Sequence, residues 1–207
     1  MDFVRPIEAI VPGARGRVLA VLAEPTTGLN LRTIAQLAGV SQAQASRLLP
    51  GLVELGMVER QEVPPASLFR LVPEHVASRA LLALARSADT VFDQIGRLAA
   101  SLPEPPLSVI VFGSFARREA GPDSDIDIVV VRPAAVDEDD EIWAASLDGW
   151  RRDVRLLTGN PVEVLELGAD EAAARAAGPG PLWANIRRDG RVVHGLGVEE
   201  LQRVRRA

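Results

Sequence analysis

LSVIVFGSFARREAGPDSDIDIVVV, residues 107–131, is the stretch that decides how the second half of this chain folds. Val109–Phe112 is a short apolar run, consistent with a buried strand. Gly113-Ser114 follows at once and precedes a helix start predicted at Phe115–Glu119. Glycine permits close backbone approach, and a new helix points free N–H groups at the turn before it, which suits a phosphate. Gly121-Pro122-Asp123-Ser124 then turns the chain, and Asp125-Ile126-Asp127 opens a second strand over Ile126–Val131. Residues i and i+2 of a strand point to one face, so Asp125 and Asp127 project side by side beside the Gly-Ser turn. Two neighbouring carboxylates raise each other's pKa unless a cation neutralises them. Mg²⁺ takes oxygen ligands and commonly links one or two carboxylates to substrate phosphates. An Asp-x-Asp alone is also ordinary turn chemistry; the Gly-Ser turn at short range is what favours the metal.

Gly-Ser followed by Asp-x-Asp on a strand resembles the DNA polymerase β-like nucleotidyltransferase superfamily. GSFARREAGPDSDIDIVVV looks most like its small bacterial minimal nucleotidyltransferase branch. The resemblance implies that Gly113 and Ser114 contact the phosphates of a nucleoside triphosphate (NTP), and that Asp125 and Asp127 bind Mg²⁺, with two ions possible. Arg117, one turn into the helix, and Ser124, in the following turn, are the further nucleotide-binding candidates. The superfamily also uses a third carboxylate on a later strand. Val162–Leu167 reads as that strand, and Glu163 is the candidate, because it interrupts an apolar run near the strand's start. Its role would be to help hold the metal that activates the attacking hydroxyl, or to take its proton. Glu166, on the opposite strand face, is the lesser choice. The acceptor stays open: a protein side chain, a small hydroxylated molecule or an RNA end.

Between the two strands, Glu138–Leu157 reads as a helix with Ile142, Leu147, Trp150, Val154 and Leu157 mostly on one face, ended by Gly159-Asn160-Pro161. Ile186–Gly195 reads as a helix, a glycine cap and a short edge strand. Upstream, Glu74–Ser101 carries Val76, Ala80, Leu81, Leu84, Ala88, Val91, Ile95 and Leu98 at intervals of three and four, one amphipathic helix. Pro103, Pro105 and Pro106 follow it as a hinge.

Residues 1–73 read as helix, helix, glycine turn, helix and hairpin. Val18, Leu19 and Leu22 share one face of the first helix; Leu31–Ala38 is the second, with Ile34, Leu37 and Ala38 inward. Ser41 sits at an N-cap position and opens the third, which carries Leu48, Leu49, Leu52, Val53 and Leu55. Met57–Glu62 and Ser67–Val72 pair across Val63–Ala66. The order and the stretch TIAQLAGVSQAQASRLLPGLVELGMVER resemble the winged helix-turn-helix regulators of bacteria. The resemblance implies that the third helix lies in a DNA major groove, with Gln42, Gln44, Ser46 and Arg47 meeting bases or phosphates. Two features weigh against it. Residues 1–75 hold seven Arg and seven Asp plus Glu, so the module has no net basic charge, and Pro50 predicts a kink in that helix. Winged helices also serve as docking modules.

The expected fold class is therefore α+β: a winged helix-turn-helix (1–73), a linking helix and Pro-rich hinge (74–106), and a nucleotidyltransferase mixed sheet with flanking helices (107–207). The 207 residues carry a net charge of −5, with no cysteine, no lysine and two histidines. Disulfides, thiolate metal sites and a cysteine nucleophile are excluded, and any phosphate clamp must use arginine or backbone N–H groups. The absence of tyrosine excludes self-modification on that residue. No signal peptide and no 18-residue apolar run is visible, which predicts a soluble, cytoplasmic protein without a membrane partner. Three functional readings follow: an Mg²⁺-dependent nucleotidyltransferase tied to double-stranded DNA; a transcriptional regulator whose transferase fold senses nucleotide; and an antitoxin-like protein that binds a toxin. DNA binding would imply a homodimer, with the 74–101 helix as candidate interface.

Overall fold

The computed structural model describes residues 1–204. The elements run α1 (Pro6–Ile10), α2 (Ala14–Ala23), β1 (Leu29–Asn30), α3 (Leu31–Leu37), α4 (Gln42–Glu54), β2 (Val58–Val63), β3 (Ala66–Leu71) and α5 (Val76–Ala85). They continue with α6 (Ser87–Ala100), β4 (Ser108–Phe112), α7 (Gly113–Ala116), β5 (Ile126–Val131), α8 (Glu141–Thr158) and β6 (Val162–Leu167). The last are α9 (Ala169–Ala177), α10 (Pro181–Asp189), β7 (Arg191–Gly195) and α11 (Val198–Val204). Two compact units result. One holds Asp2 and Val4–Ser87; the other holds Met1, Phe3 and Ala88–Ala207.

In the N-terminal unit, helices α2, α3 and α4 close over a sheet ordered β1-β3-β2, all antiparallel. The core is built from Val18, Leu19, Leu22, Ile34, Leu49, Leu52, Val58, Phe69, Leu71 and Leu81. The short β1 was not foreseen; it completes a three-stranded wing sheet. Asn30 caps α3 by accepting from Thr33 N, and Arg17 Nε donates to Ala38 O at the α3–α4 turn. Two leucines differ from expectation. Leu37 is 61% and Leu55 64% exposed, because each sits at a helix end where the apolar face has already turned outward. Helix α4 runs unbroken through Pro50. The ring removes the N–H that would bond Ser46 O, and the helix on both sides of it buries Ala45, Leu49 and Leu52.

The 74–101 segment is two helices, not one. Arg86 leaves the helical region at φ −96° and ψ 10°. Leu81 of α5 packs into the N-terminal core, while Ala88, Val91, Phe92 and Ile95 of α6 pack into the other. The periodicity recorded an apolar face on each half, not a common axis. Most of the apolar stripe is buried within the chain, with Val76 and Ala80 left exposed. Val76, 80% exposed, takes no part in either core. The proline-rich stretch links α6 to β4 within one unit rather than hinging two.

The C-terminal unit is a four-stranded mixed sheet ordered β6-β5-β4-β7; β6 runs parallel to β5, the other pairs antiparallel. One face, with Ile126, Ile128, Val130 and Val162, packs on α6 and α8; the other, with Ile110, Val129, Val131 and Leu167, packs on α9, α10 and α11. Helix α8 begins three residues later than expected, where the Asp140 side chain accepts from Trp143 N at 2.8 Å. That start sets its buried stripe as Trp143, Leu147, Trp150, Val154 and Thr158, leaving Ile142 73% exposed and Leu157 partly so. In α6, a Cβ on Gly96 would collide with the Val193 carbonyl oxygen of β7, next to the register shift in the β4–β7 ladder. Alanine normally improves a helix by up to about 1 kcal/mol. At Gly96 overpacking against backbone outweighs that, so Gly96→Ala should cost about 1–3 kcal/mol. All three tryptophans lie in this unit, so urea unfolding followed by their fluorescence reads the change; an unchanged or higher midpoint contradicts the close approach.

Candidate active site

Strand pairing sets the site. Asp127 lies opposite Phe112 of β4 on one side and opposite Glu163 of β6 on the other. Gly113, the next residue after Phe112, has φ +71°, and a Cβ there would collide with the Asp127 Oδ2 atom. Glycine therefore serves twice, by taking a left-handed backbone and by admitting the carboxylate. Asp127 and Glu163 share the sheet face of Val129, Val131 and Leu167, and Glu163 is exposed at the edge strand. Burial pushes the Asp127 carboxyl above its ordinary value, the Asp125 and Glu163 charges push it further, and Arg117 pulls it back. Asp127 thus feels both of the other predicted carboxylates, with one arginine in the same field.

Glu166 is excluded from that group. Its Oε1 accepts from Arg132 Nη1 at 2.6 Å and from Trp143 Nε1 at 2.8 Å on the other sheet face.

The Ser124 hydroxyl accepts from Gly121 N at 3.0 Å and closes the turn ahead of Asp125, with its own O–H left to donate. The predicted helix at 115–119 is a single turn, Gly113–Ala116, ended by Arg118 at φ +61°. One turn has little macrodipole, leaving the Ser114 hydroxyl, which has no hydrogen-bond partner among the described residues, and Arg117. Arg117 Nε donates to Glu119 Oε2 at 2.8 Å, and its Nη1 lies 4.0 Å from Asp189 Oδ2.

Asn160 was read from the sequence only as part of a helix stop. It is fully buried, and its Nδ2 reaches the carbonyls of Ser124 (2.9 Å), Gly121 and Pro122 (3.3 Å each). Its Oδ1 accepts from the Met1 amino group at 2.7 Å. One side chain thereby fixes the turn that aims both aspartates. The signal was present as a polar residue between Gly159 and Pro161, but a helix stop needs no burial.

Hard oxygen donors with mutually raised charge suit a divalent cation such as Mg²⁺. Among the described residues no three acidic or histidine side chains form a ready-made metal cage. Mg²⁺ does not require one, since it usually takes one or two carboxylates and completes its shell with phosphate and water.

In the N-terminal unit Gln42, Gln44, Ser46 and Arg47 are all exposed on α4. Gln44 is committed to a capping box: its N–H donates to Ser41 Oγ at 3.1 Å, and its Oε1 accepts from Ser41 N at 3.0 Å. That leaves its amide less free for a base than the sequence suggested. Arg47 Nε donates to Ala43 O at 3.1 Å.

The fold and site define a nucleotidyltransferase domain, and residues 95–174 match the family described as nucleotidyltransferase domain. Residues 16–62 match the IclR helix-turn-helix domain, so the chain joins a helix-turn-helix to a nucleotidyltransferase fold. A solved structure described as a toxin–antitoxin with AMP-PNP is similar at 15% identity and a TM-score of 0.37, over 54% of this chain and 79% of that one. No curated protein matches the chain. No helix among the described residues is long and apolar enough to cross a membrane.

The raised Asp127 carboxyl has a measurable consequence. Its folded pKa lies above the ordinary 3.8, so ionisation weakens the fold. The penalty is absent below the unfolded value and complete above the folded one. Asp127→Asn should raise the melting temperature in EDTA at pH 7, and the gain should shrink as pH falls toward 4. A lower melting temperature at pH 7 would mean that the carboxylate is stabilised rather than strained.

Proposed function

We propose that the C-terminal unit transfers a nucleoside monophosphate from an NTP to a hydroxyl acceptor in an Mg²⁺-dependent reaction, and that the N-terminal unit binds double-stranded DNA. The observation that carries the transfer is the pairing of Asp127 with Glu163 on adjacent strands beside Gly113 at the end of β4, with Asp125 and Arg117 in the same field.

Asp125 and Asp127 would hold the metal, Glu163 completing its shell on the acceptor side. Bound divalent ions neutralise the attacking and leaving oxygens of an in-line displacement. Gly113 lets the triphosphate approach the backbone, and Ser114 and Arg117 donate to its oxygens. Glu163, exposed and directly across from Asp127, is placed to take the acceptor's proton. The acceptor oxygen bonds to the α-phosphorus as the bond to the β-phosphate bridging oxygen breaks, and pyrophosphate leaves.

Gln42, Ser46 and Arg47 are the DNA-facing side chains of α4, with Gln44 shaping that helix's first turn. Regulators of this type usually read paired half-sites, so the DNA-bound form would be a homodimer.

The second reading is a transcriptional regulator whose transferase fold senses nucleotide without turnover. Glu163→Gln separates the two. A transferase should lose roughly 100-fold or more in turnover, with NTP affinity changed only a few-fold; release of radiolabelled pyrophosphate measures it. Wild-type protein that binds NTP and releases no pyrophosphate with any acceptor would leave the sensor. Asp125→Ala/Asp127→Ala should abolish Mg²⁺-dependent NTP heat in titration calorimetry. For DNA, Arg47→Ala should weaken promoter binding and lower the salt slope by about 1. An unchanged slope and affinity would remove Arg47 from the interface.

A further inference from the structure

Beside Glu163 lies a polar cleft of about 330 Å³ between α8 and the start of β6, lined by Arg151, Arg152, Arg155 and Asp148 as well as by Glu163 itself. Its charges are unevenly used. Arg151 is occupied: Nη1 lies 3.6 Å from Asp148 Oδ1, and Nη2 donates to Val162 O at 3.2 Å. Arg152 and Arg155 are exposed and make no ion pair or hydrogen bond among the described residues. What distinguishes Arg152 and Arg155 is their place: both line one cleft with Glu163, and neither is held by a carboxylate there.

Sheet order sets their relation to the carboxylates. Across the sheet Gly113 follows β4, Asp127 lies on β5 and Glu163 on the edge strand β6. Helix α8 packs on the other sheet face, and its arginines meet Glu163 in the cleft at the open edge of β6. The triphosphate belongs at the β4 end, with Gly113, Ser114 and Arg117. The cleft lies at the β6 end, on the side of Glu163 away from them, which leaves it to the acceptor.

We infer that the cleft is the acceptor's anchoring site and takes a phosphate group, so that the acceptor carries a phosphate beside the hydroxyl it offers. A planar guanidinium pairs bidentately with phosphate oxygens, and two unpaired ones match the charge of a phosphate monoester or of successive diesters. The cleft's size sits at the low end for small-molecule sites, room for a sugar phosphate or one nucleotide unit of a strand. A neutral sugar or an uncharged protein side chain would leave both arginines without a counter-charge. The inference rests on the transferase reading for its word acceptor; the phosphate site itself stands on the cleft.

The test uses the full chain and two probes: ribose 5-phosphate by titration calorimetry, and a fluorescein-labelled single-stranded RNA hexamer by anisotropy across a salt series. Arg152→Ala/Arg155→Ala should weaken at least one probe 10-fold or more. For RNA it should lower the salt slope by about 1.4, at about 0.7 per phosphate contact on single strands. Both side chains are exposed, so the variant should melt like wild type; Arg152→Glu/Arg155→Glu should abolish the same binding. RNA held far more tightly than ribose 5-phosphate identifies a polynucleotide end, and comparable affinities identify a small phosphate ester. Wild type that binds neither probe, or a variant that binds both as wild type does, overturns the inference. Mg²⁺–ATP titration of the wild type runs alongside. If ATP fails to bind, the transferase reading falls; if ATP binds while phosphate binding ignores both arginines, only the acceptor site falls.

Discussion

Asp127 is a half-buried carboxylate between two others, and the C-terminal unit is organised around holding it there. Among the described residues Arg117 offsets part of the repulsion and is itself drawn toward Glu119 and Asp189. The arrangement is unfavourable for the apo fold and is maintained by groups that over-determine it. The Ile126–Val131 strand is paired on both sides, and its neighbours Ile126 and Ile128 are fully buried. Gly113 removes the one Cβ that would displace the carboxylate. Local strain of this kind persists where surrounding structure enforces it, and is characteristic of sites that bind a cation or charged substrate.

The second constraint is upstream. The turn from Gly121 to Ser124 has to deliver Asp125 and Asp127 at a fixed angle, and turns of glycine, proline and serine have no packing of their own. Asn160 supplies the rigidity from outside by donating to three of the turn's carbonyls, with its own oxygen satisfied by the chain's first residue. A buried amide with both ends bonded is worth more to geometry than its net energy suggests, because any shift leaves buried polar atoms without partners.

The parts legible in the sequence were those that depend on short-range pattern. The Gly-Ser turn, the two aspartates and the placement of Glu163 over Glu166 follow from strand alternation and spacing, and the ladder registers agree with them. The helix, glycine and edge strand at 186–195 were local for the same reason. What failed depended on distant partners. The 74–101 stripe has one period but serves two cores, which no periodicity encodes. Ile142 and Leu157 fit a helical face that slid by one residue once Asp140 fixed the start of α8. The β1 strand, two residues long, carries no pattern at all.

The unpaired arginines of α8 belong to this second kind, since only the fold brings them beside Glu163. In the sequence, Arg151-Arg152 and Arg155 read as the solvated side of an amphipathic helix, and at most positions of α8 that reading holds. Sheet order changes their meaning. Because β6 is the edge strand and runs parallel to β5, its first residues emerge at the same end as Asp125 and Asp127, and the α8 turn that precedes them is carried to that end too. An antiparallel β6 would have put Glu163 at the far end of the sheet and left the arginines as ordinary surface charge. With no lysine anywhere in the chain, the side-chain cations beside the carboxylates, Arg117 and the arginines of the cleft, are guanidinium groups that stay charged across the accessible pH range. The basic side therefore keeps its charge as pH changes and fixes where anionic groups dock.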